Sequence, residues 1–114
     1  MMKHHPNREQ LRLDSVLAAL GHPVRMSVVK VLADGKEHTC GSLLKGISKS
    51  TLTHHWRTLR DGGIIWQIPS GRENLLSLRR EDLDSRFPGL LDSFLKAATQ
   101  DEQTSSIIAT YCAE

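Results

Sequence analysis

Residues 39–78 constrain the fold of this 114-residue chain more than any other segment does. Their pattern is that of a short helix, a glycine turn, a helix with one polar face, a Gly-Gly stop and a hairpin. In that order the first helix braces the second, and the polar face of the second helix is free to enter a DNA major groove. We therefore predict a helix-turn-helix over residues 39–61 and a hairpin, or wing, over residues 64–78.

The two helices of this unit have recognisable starts. Thr39 is predicted to cap a short helix that runs to about Lys45, and Ser48 to cap a second helix over Lys49–Asp61. The second helix carries an inward-facing apolar stripe at helical spacing: Leu52, Trp56 and Leu59. His55 lies in phase with this stripe, so we expect it to pack or bridge rather than to contact bases.

The remaining elements are predicted from apolar periodicity and from turn residues. They are helices over about 8–20, 24–33 and 87–98, a further helical turn near 107–111, and strands over 64–68 and 75–78 around a Pro69–Arg72 turn. The predicted fold class is therefore mainly α with a small β-hairpin wing.

The predicted C-terminal helix shows more apolar surface than a small domain keeps in water. Pairing with a second copy through the N- and C-terminal helices would bury that surface, with residues 87–111 as the C-terminal dimerisation region. The alternative is that this helix only closes the core of the monomer.

Composition places the chain among single-domain globular proteins. Hydrophobic residues make up 39% and charged residues 25%, which is ordinary for a folded chain of one modest core. The first seven residues lack an apolar stretch, so we predict a flexible N-terminus and no signal peptide. No apolar run approaches the roughly 18 residues of a membrane span, so a cytoplasmic protein with no membrane partner is expected.

Charge is distributed unevenly along the chain. Residues 49–80 carry a net charge of +4, whereas residues 81–114 carry −5. A polyanionic partner is therefore expected at the middle of the chain, where the polar-faced helix and the wing are predicted.

The polar face of the second helix supplies short or forked hydrogen-bonding groups of the kind that contact DNA. The predicted DNA-binding residues are Lys49, Ser50, Thr51, Thr53, His54 and Arg57 on the helix and Arg72 on the wing. Phosphate contacts are expected from Arg57, Arg60, Arg79 or Arg80. A solvated surface helix without a DNA role is the open alternative.

Three motifs in order resemble the ArsR/SmtB family of winged helix-turn-helix transcriptional repressors. They are LAALGHPVR at residues 17–25, STLTHHWRTLRDGGII at residues 50–65 and GRENLLSLRREDL at residues 71–83. The resemblance implies a homodimer, a pseudo-palindromic duplex operator, and repression that is released by a chemical signal. It also implies that the listed residues of the helix and the wing face the DNA.

The chain departs from the metal-sensing members of that family. Where one family site has a Cys-x-Cys, residues 38–43 contain the single thiol of Cys40, and no histidine follows His55. Tetrahedral zinc needs four donors, so we predict no metal and no cofactor. His4 and His5 could join Cys40 only if the N-terminus folds back.

Two alternative functions remain open. Cys40, predicted at a helix start where its thiol would be activated, could act with Cys112 as a redox switch. The scaffold could also serve as a protein-interaction module that has lost DNA binding. An enzyme is not expected, because the chain contains no nucleophile elbow, phosphate loop or dinucleotide fingerprint.

Overall fold

The computed structural model describes residues 4–112. These residues form six α-helices: α1 (Leu13–Leu20), α2 (Pro23–Leu32), α3 (Lys49–Asp61), α4 (Arg80–Arg86), α5 (Leu90–Gln100) and α6 (Glu102–Ile107). They also form three strands: β1 (His38–Thr39), β2 (Ile65–Ser70) and β3 (Glu73–Leu78). Short 3₁₀ helices lie at Arg8–Gln10 and Cys40–Ser42, and a π-helical turn lies at Ile108–Cys112. The prediction of a mainly helical fold with a small wing is confirmed.

Helix α3 has the predicted bounds. The Ser48 hydroxyl accepts a hydrogen bond from the Thr51 amide at 3.4 Å, which satisfies one free N–H of the first turn. Trp56 and Leu59 are buried and Leu52 is half-buried, so the apolar stripe faces the core.

The two strands of the wing are longer than predicted, and the turn between them is shorter. Strands β2 and β3 pair in antiparallel register up to Ser70 and Glu73, which leaves a two-residue turn at Gly71-Arg72. Gly71 has φ +61°, as such tight hairpin turns require. The predicted turn included Pro69, but β2 is an edge strand and an edge position tolerates a residue without an N–H.

The predicted helix from Thr39 to Lys45 is wrong. His38 and Thr39 instead pair with β3 as a third strand, and only one 3₁₀ turn follows, over Cys40–Ser42. Thr39 makes no side-chain cap, and the Cys-Gly-Ser sequence of that turn has low helix propensity. Leu43 and Leu44 are nevertheless buried, as predicted, with Leu44 held at φ +55°.

The predicted single helix over 8–20 is also divided. Asn7 and Gln10 form a capping box on the first 3₁₀ turn, and Leu11 then adopts an extended conformation and enters the core. Helix α1 starts only at Leu13, after this break.

Phe87 does not begin the C-terminal helix. It ends α4, because Pro88 disfavours helical backbone at the residue before it, and Gly89 at φ +84° redirects the chain into α5. The expected helical turns near residue 107 are present as α6 and the π-helical turn.

Residues of the predicted flexible N-terminus contact the body of the protein. The Gln67 backbone N–H donates to His5 Nε2 at 2.9 Å, and the Pro6 carbonyl accepts from Arg79 at 2.7 Å. Residues 1–3 of that predicted segment lie outside the described residues.

One hydrophobic core joins these elements. Its fully buried members include Val28, Val29 and Leu32 of α2, Leu59 of α3, Ile64 and Ile65 at the start of the wing, and Leu76 of β3. Within the described residues, no single helix is long and apolar enough to cross a membrane. Helices α1 and α2 are long and apolar enough only when taken together, and they form a pair bent by 102°. Buried core helices of soluble proteins meet the same criterion of length and composition.

Candidate DNA-binding surface

Helix α3 presents the predicted polar face to solvent. All six predicted helix positions are exposed: Lys49, Ser50, Thr51, Thr53, His54 and Arg57. The opposite side of the helix buries His55, Trp56 and Leu59. Neither Lys49 nor Arg57 forms an ion pair with another described residue, so both cations are available to a ligand.

The wing completes this surface. Arg72 is exposed at the two-residue turn, and a cleft of about 390 Å³ separates the wing from α3. Lys49 and Thr53 line the cleft from the helix, and Arg72 lines it from the wing. Of the residues predicted from sequence, Lys49, Thr53 and Arg72 thus line one cleft.

A buried arginine anchors α3 to the rest of the fold. The Arg25 guanidinium donates to the Ala19 carbonyl at 2.6 Å and to the Ala18 carbonyl at 3.4 Å, both near the end of α1. Its Nη1 lies 3.1 Å from His55 Nδ1. Arg25 therefore ties α1, α2 and α3 together behind the exposed face.

The acceptor role of His55 requires a neutral imidazole. Burial, together with the smaller effects of the nearby charges of His22, Arg25 and His54, lowers the pKa of His55 to about 4. With Nδ1 unprotonated, the ring accepts from Arg25. The expected packed and bridging role of His55 agrees with this geometry, but no local sequence pattern indicated Arg25 as its partner.

Comparisons with known proteins identify the family. A family model described as a helix-turn-helix domain matches residues 20–67. The uncharacterized HTH-type transcriptional regulator YceK of Bacillus subtilis (strain 168) is 30% identical over 88 residues, which cover 75% of this chain and 87% of YceK. The chain belongs to the helix-turn-helix transcriptional regulators. This membership assigns the regulator a helix-turn-helix DNA-binding domain.

Solved structures show which fold the regulator has. An ArsR family transcriptional regulator superposes with a TM-score of 0.59 at 22% identity, over 85% of this chain and 94% of that one. The transcriptional repressor BigR from Xylella fastidiosa superposes with a TM-score of 0.54 at 22% identity, over 90% and 88% of the two chains. The regulator thus has the winged helix-turn-helix fold of the ArsR family, as its motifs indicate.

Three of the four arginines expected at phosphates are engaged within the regulator. Arg79 is 2% exposed, donates to Asp82 and to the Pro6 carbonyl, and lies over the Trp66 ring. Arg60 is paired with Asp61 and Gln67, and Arg80 with Asp84 and Asp92. The prediction is therefore wrong for the buried Arg79. Arg57 is the one of the four that forms no ion pair with the described residues.

The two cysteines of the regulator are both half-buried and lie in different settings. Cys40 begins a three-residue 3₁₀ turn, so the α-helix dipole invoked to activate its thiol is absent. Burial raises the pKa of Cys112, against a smaller opposing effect of a backbone hydrogen bond at Leu44. A raised pKa keeps the thiol protonated and lowers its reactivity.

His5 and His22 serve local structure. His22 Nδ1 accepts from the Val24 amide at 3.1 Å and caps α2, and the His5 ring packs edge-on against Trp66. Within residues 4–112, no group of three or more His, Cys, Asp or Glu side chains is arranged to hold a metal ion.

Proposed function

We propose that the regulator is a homodimeric transcriptional repressor that binds a pseudo-palindromic duplex operator and is released by a chemical signal. The observation that carries the proposal is the exposed face of α3, whose polar and cationic side chains stand beside Arg72 of the wing. The structural neighbour BigR is named a transcriptional repressor, which supports the same direction of control.

The division of roles on this surface follows from side-chain chemistry. Arg57 and Arg72 are exposed cations suited to phosphates, where they would add affinity without regard to sequence. Thr51, Thr53 and His54 carry short polar groups, which suit hydrogen bonds to base edges. Because Ser48 donates to the Thr51 hydroxyl oxygen at 2.9 Å, the Thr51 proton is left to donate outward.

A homodimer is supported by apolar surface on α1. Leu13 and Leu17 are 48% and 49% exposed and stand one helical turn apart, and they are two of the three large apolar residues exposed within residues 4–112. A symmetric contact through this stripe and α5 would bury it and would place two α3 helices on one duplex.

Duplex binding by variants tests the division of roles. Arg72→Ala should lower the affinity for the operator and for unrelated duplex by a similar factor, roughly tenfold, and should reduce the salt dependence of both affinities. His54→Ala should weaken the operator by about 1.5 kcal/mol and unrelated duplex much less, because a base contact is lost. Fluorescence anisotropy at several salt concentrations, with a duplex from the gene's own upstream region, measures both effects.

Lys36→Ala, which removes an exposed cation in the loop before β1, is the matched control and should bind both duplexes as wild type does. The ratio of operator affinity to unrelated-duplex affinity measures specificity. If Arg72→Ala and His54→Ala lowered this ratio by the same factor, the assigned roles would be contradicted. Repeating the titration with reduced and mildly oxidised protein tests the redox alternative, since a thiol switch requires binding in one state only.

Sedimentation of an α1 variant tests the dimer. Leu17→Lys should raise the dimer dissociation constant at least tenfold, or about 1.4 kcal/mol, because an ammonium group would have to leave water in the interface. Glu37→Lys introduces the same group into the exposed loop before β1 and should sediment as wild type. An unchanged Leu17→Lys dimer would show that α1 is not the interface.

A protein-interaction module is the rival function. Its strongest sequence support was the acidic C-terminal third of the chain, which carries a net charge of −5. Absence of any salt-sensitive duplex binding by the wild type would favour this rival and overturn the proposed function.

A further inference from the structure

Two residues that line the cleft between α3 and the wing carry hydrogen-bond donors that no described residue uses. Trp56 and Gln67 both line the cleft, and each is only 5% exposed. Neither the Trp56 indole N–H nor the Gln67 side-chain N–H₂ donates to another described residue. Every fully buried side-chain nitrogen or oxygen in the described residues has a hydrogen-bond partner. Since these two donors have none, they must be accessible to solvent, and the cleft is the space that both residues line.

The orientation of the Gln67 amide is set by its other end. Arg60 Nη1 donates to Gln67 Oε1 at 3.1 Å. Since a guanidinium can only donate, the oxygen must face Arg60 and the N–H₂ group is left for a ligand. The donor is thus held in place by a neighbour on α3.

The charged groups around these donors favour an anion. Lys49 and Arg72 line the cleft and form no ion pair with the described residues. Glu73 is the one carboxylate among the lining residues, and its Oε1 accepts a hydrogen bond from the Gly41 backbone N–H at 3.1 Å. The half-buried Leu52 and the Trp56 ring supply an apolar wall.

We propose that this cleft binds a small organic carboxylate that accepts hydrogen bonds from Trp56 and Gln67, and that the bound ligand releases the regulator from DNA. A cleft of about 390 Å³ lies within the size range of small-molecule sites. The releasing effect rests on the proposed function, because Lys49, Thr53 and Arg72 line the cleft and are also the residues assigned to DNA. A carboxylate in the cleft and a duplex on its rim would compete for the same cations.

Benzoate and benzylammonium are the probes for the binding step. Both have a phenyl ring, but only benzoate accepts hydrogen bonds and carries negative charge. In ¹H–¹⁵N spectra of the full ¹⁵N-labelled chain, benzoate should shift the Trp56 indole N–H and the Gln67 side-chain N–H₂ resonances saturably. Benzylammonium should shift neither. Trp66 lies outside the cleft lining and is the internal control, and a Trp66→Phe variant assigns the two indole signals.

Two conservative variants test the donors. Gln67→Glu keeps an oxygen for Arg60 and replaces the N–H₂ by a negative oxygen, so benzoate affinity should fall at least roughly tenfold. Trp56→Phe keeps an aromatic ring and removes the N–H. Its affinity for benzoate, measured at the Gln67 N–H₂ resonances, should be lower than that of the wild type. Trp66→Phe should bind benzoate as wild type does.

The outcomes separate this proposal from the function on which it rests. Shifts at Trp66 equal to those at Trp56, no saturable shift, or an equal response to benzylammonium would overturn the site. Benzoate that binds but leaves duplex affinity unchanged would overturn the releasing effect. Loss of duplex binding without benzoate would instead overturn the proposed function, while the spectra would still report on the site.

Discussion

Replacing Arg25 with methionine should lower the free energy of unfolding by about 3 kcal/mol, because two buried acceptors lose their donor. Methionine preserves the apolar stem of the side chain but leaves the Ala19 carbonyl and His55 Nδ1 without the guanidinium. The Ala18 carbonyl keeps the Gly21 amide as a partner. Relief from burying a charge offsets part of the loss, since burial already lowers the pKa of Arg25.

The effect should extend to DNA binding, because Arg25 holds α3 through His55. Arg25→Met should bind the operator more weakly than wild type even at temperatures where it remains folded. Urea denaturation and duplex titration measure the two consequences. Arg12→Met removes an exposed guanidinium whose one ion-pair partner among the described residues is Asp14, and it should leave both measurements unchanged. An Arg25→Met variant as stable as wild type would show that the guanidinium does not support these acceptors.

Acidification from pH 7 to pH 5 should destabilise the regulator by about 2 kcal/mol through His55 alone. The folded-state pKa of His55 is about 4, below the value near 6.5 expected for an unfolded chain. As the pH falls through 6.5, the unfolded chain takes up a proton that the folded chain does not, so stability is lost on the way down. The lowered pKa of His22 acts in the same direction.

His55→Gln tests the assignment by removing the titrating ring while offering Arg25 an amide oxygen. Its stability should depend much less on pH between 7 and 5 in urea denaturation. Asp82 and Asp101 also have lowered pKa values, but their contribution is lost only below the ordinary range near 4, outside this window. The exposed His4→Gln variant should keep the wild-type pH dependence. The same loss in His55→Gln as in wild type would assign the effect to other groups.

Local sequence patterns predicted the centre of the candidate site. The bounds of α3, its Ser48 cap and its inward stripe all depend on residues within four positions of one another. The wing was predicted as a hairpin, with strand ends displaced by one or two residues, because an edge strand accepts Pro69. The prediction of a helix from Thr39 to Lys45 was wrong because His38 and Thr39 pair with β3, a strand far away in the sequence.

The spacing of apolar residues predicts that one helix buries Trp56 and exposes a polar, cationic face, because a 3.6-residue period fixes which side chains share a side. Which charges that face can use depends instead on contacts between residues far apart in the chain. Arg79 is withdrawn because the distant Pro6 carbonyl and Asp82 take its donors, and Arg25 is buried because the end of α1 and His55 converge on it. The cleft donors of Trp56 and Gln67 likewise meet only when the wing folds beside α3.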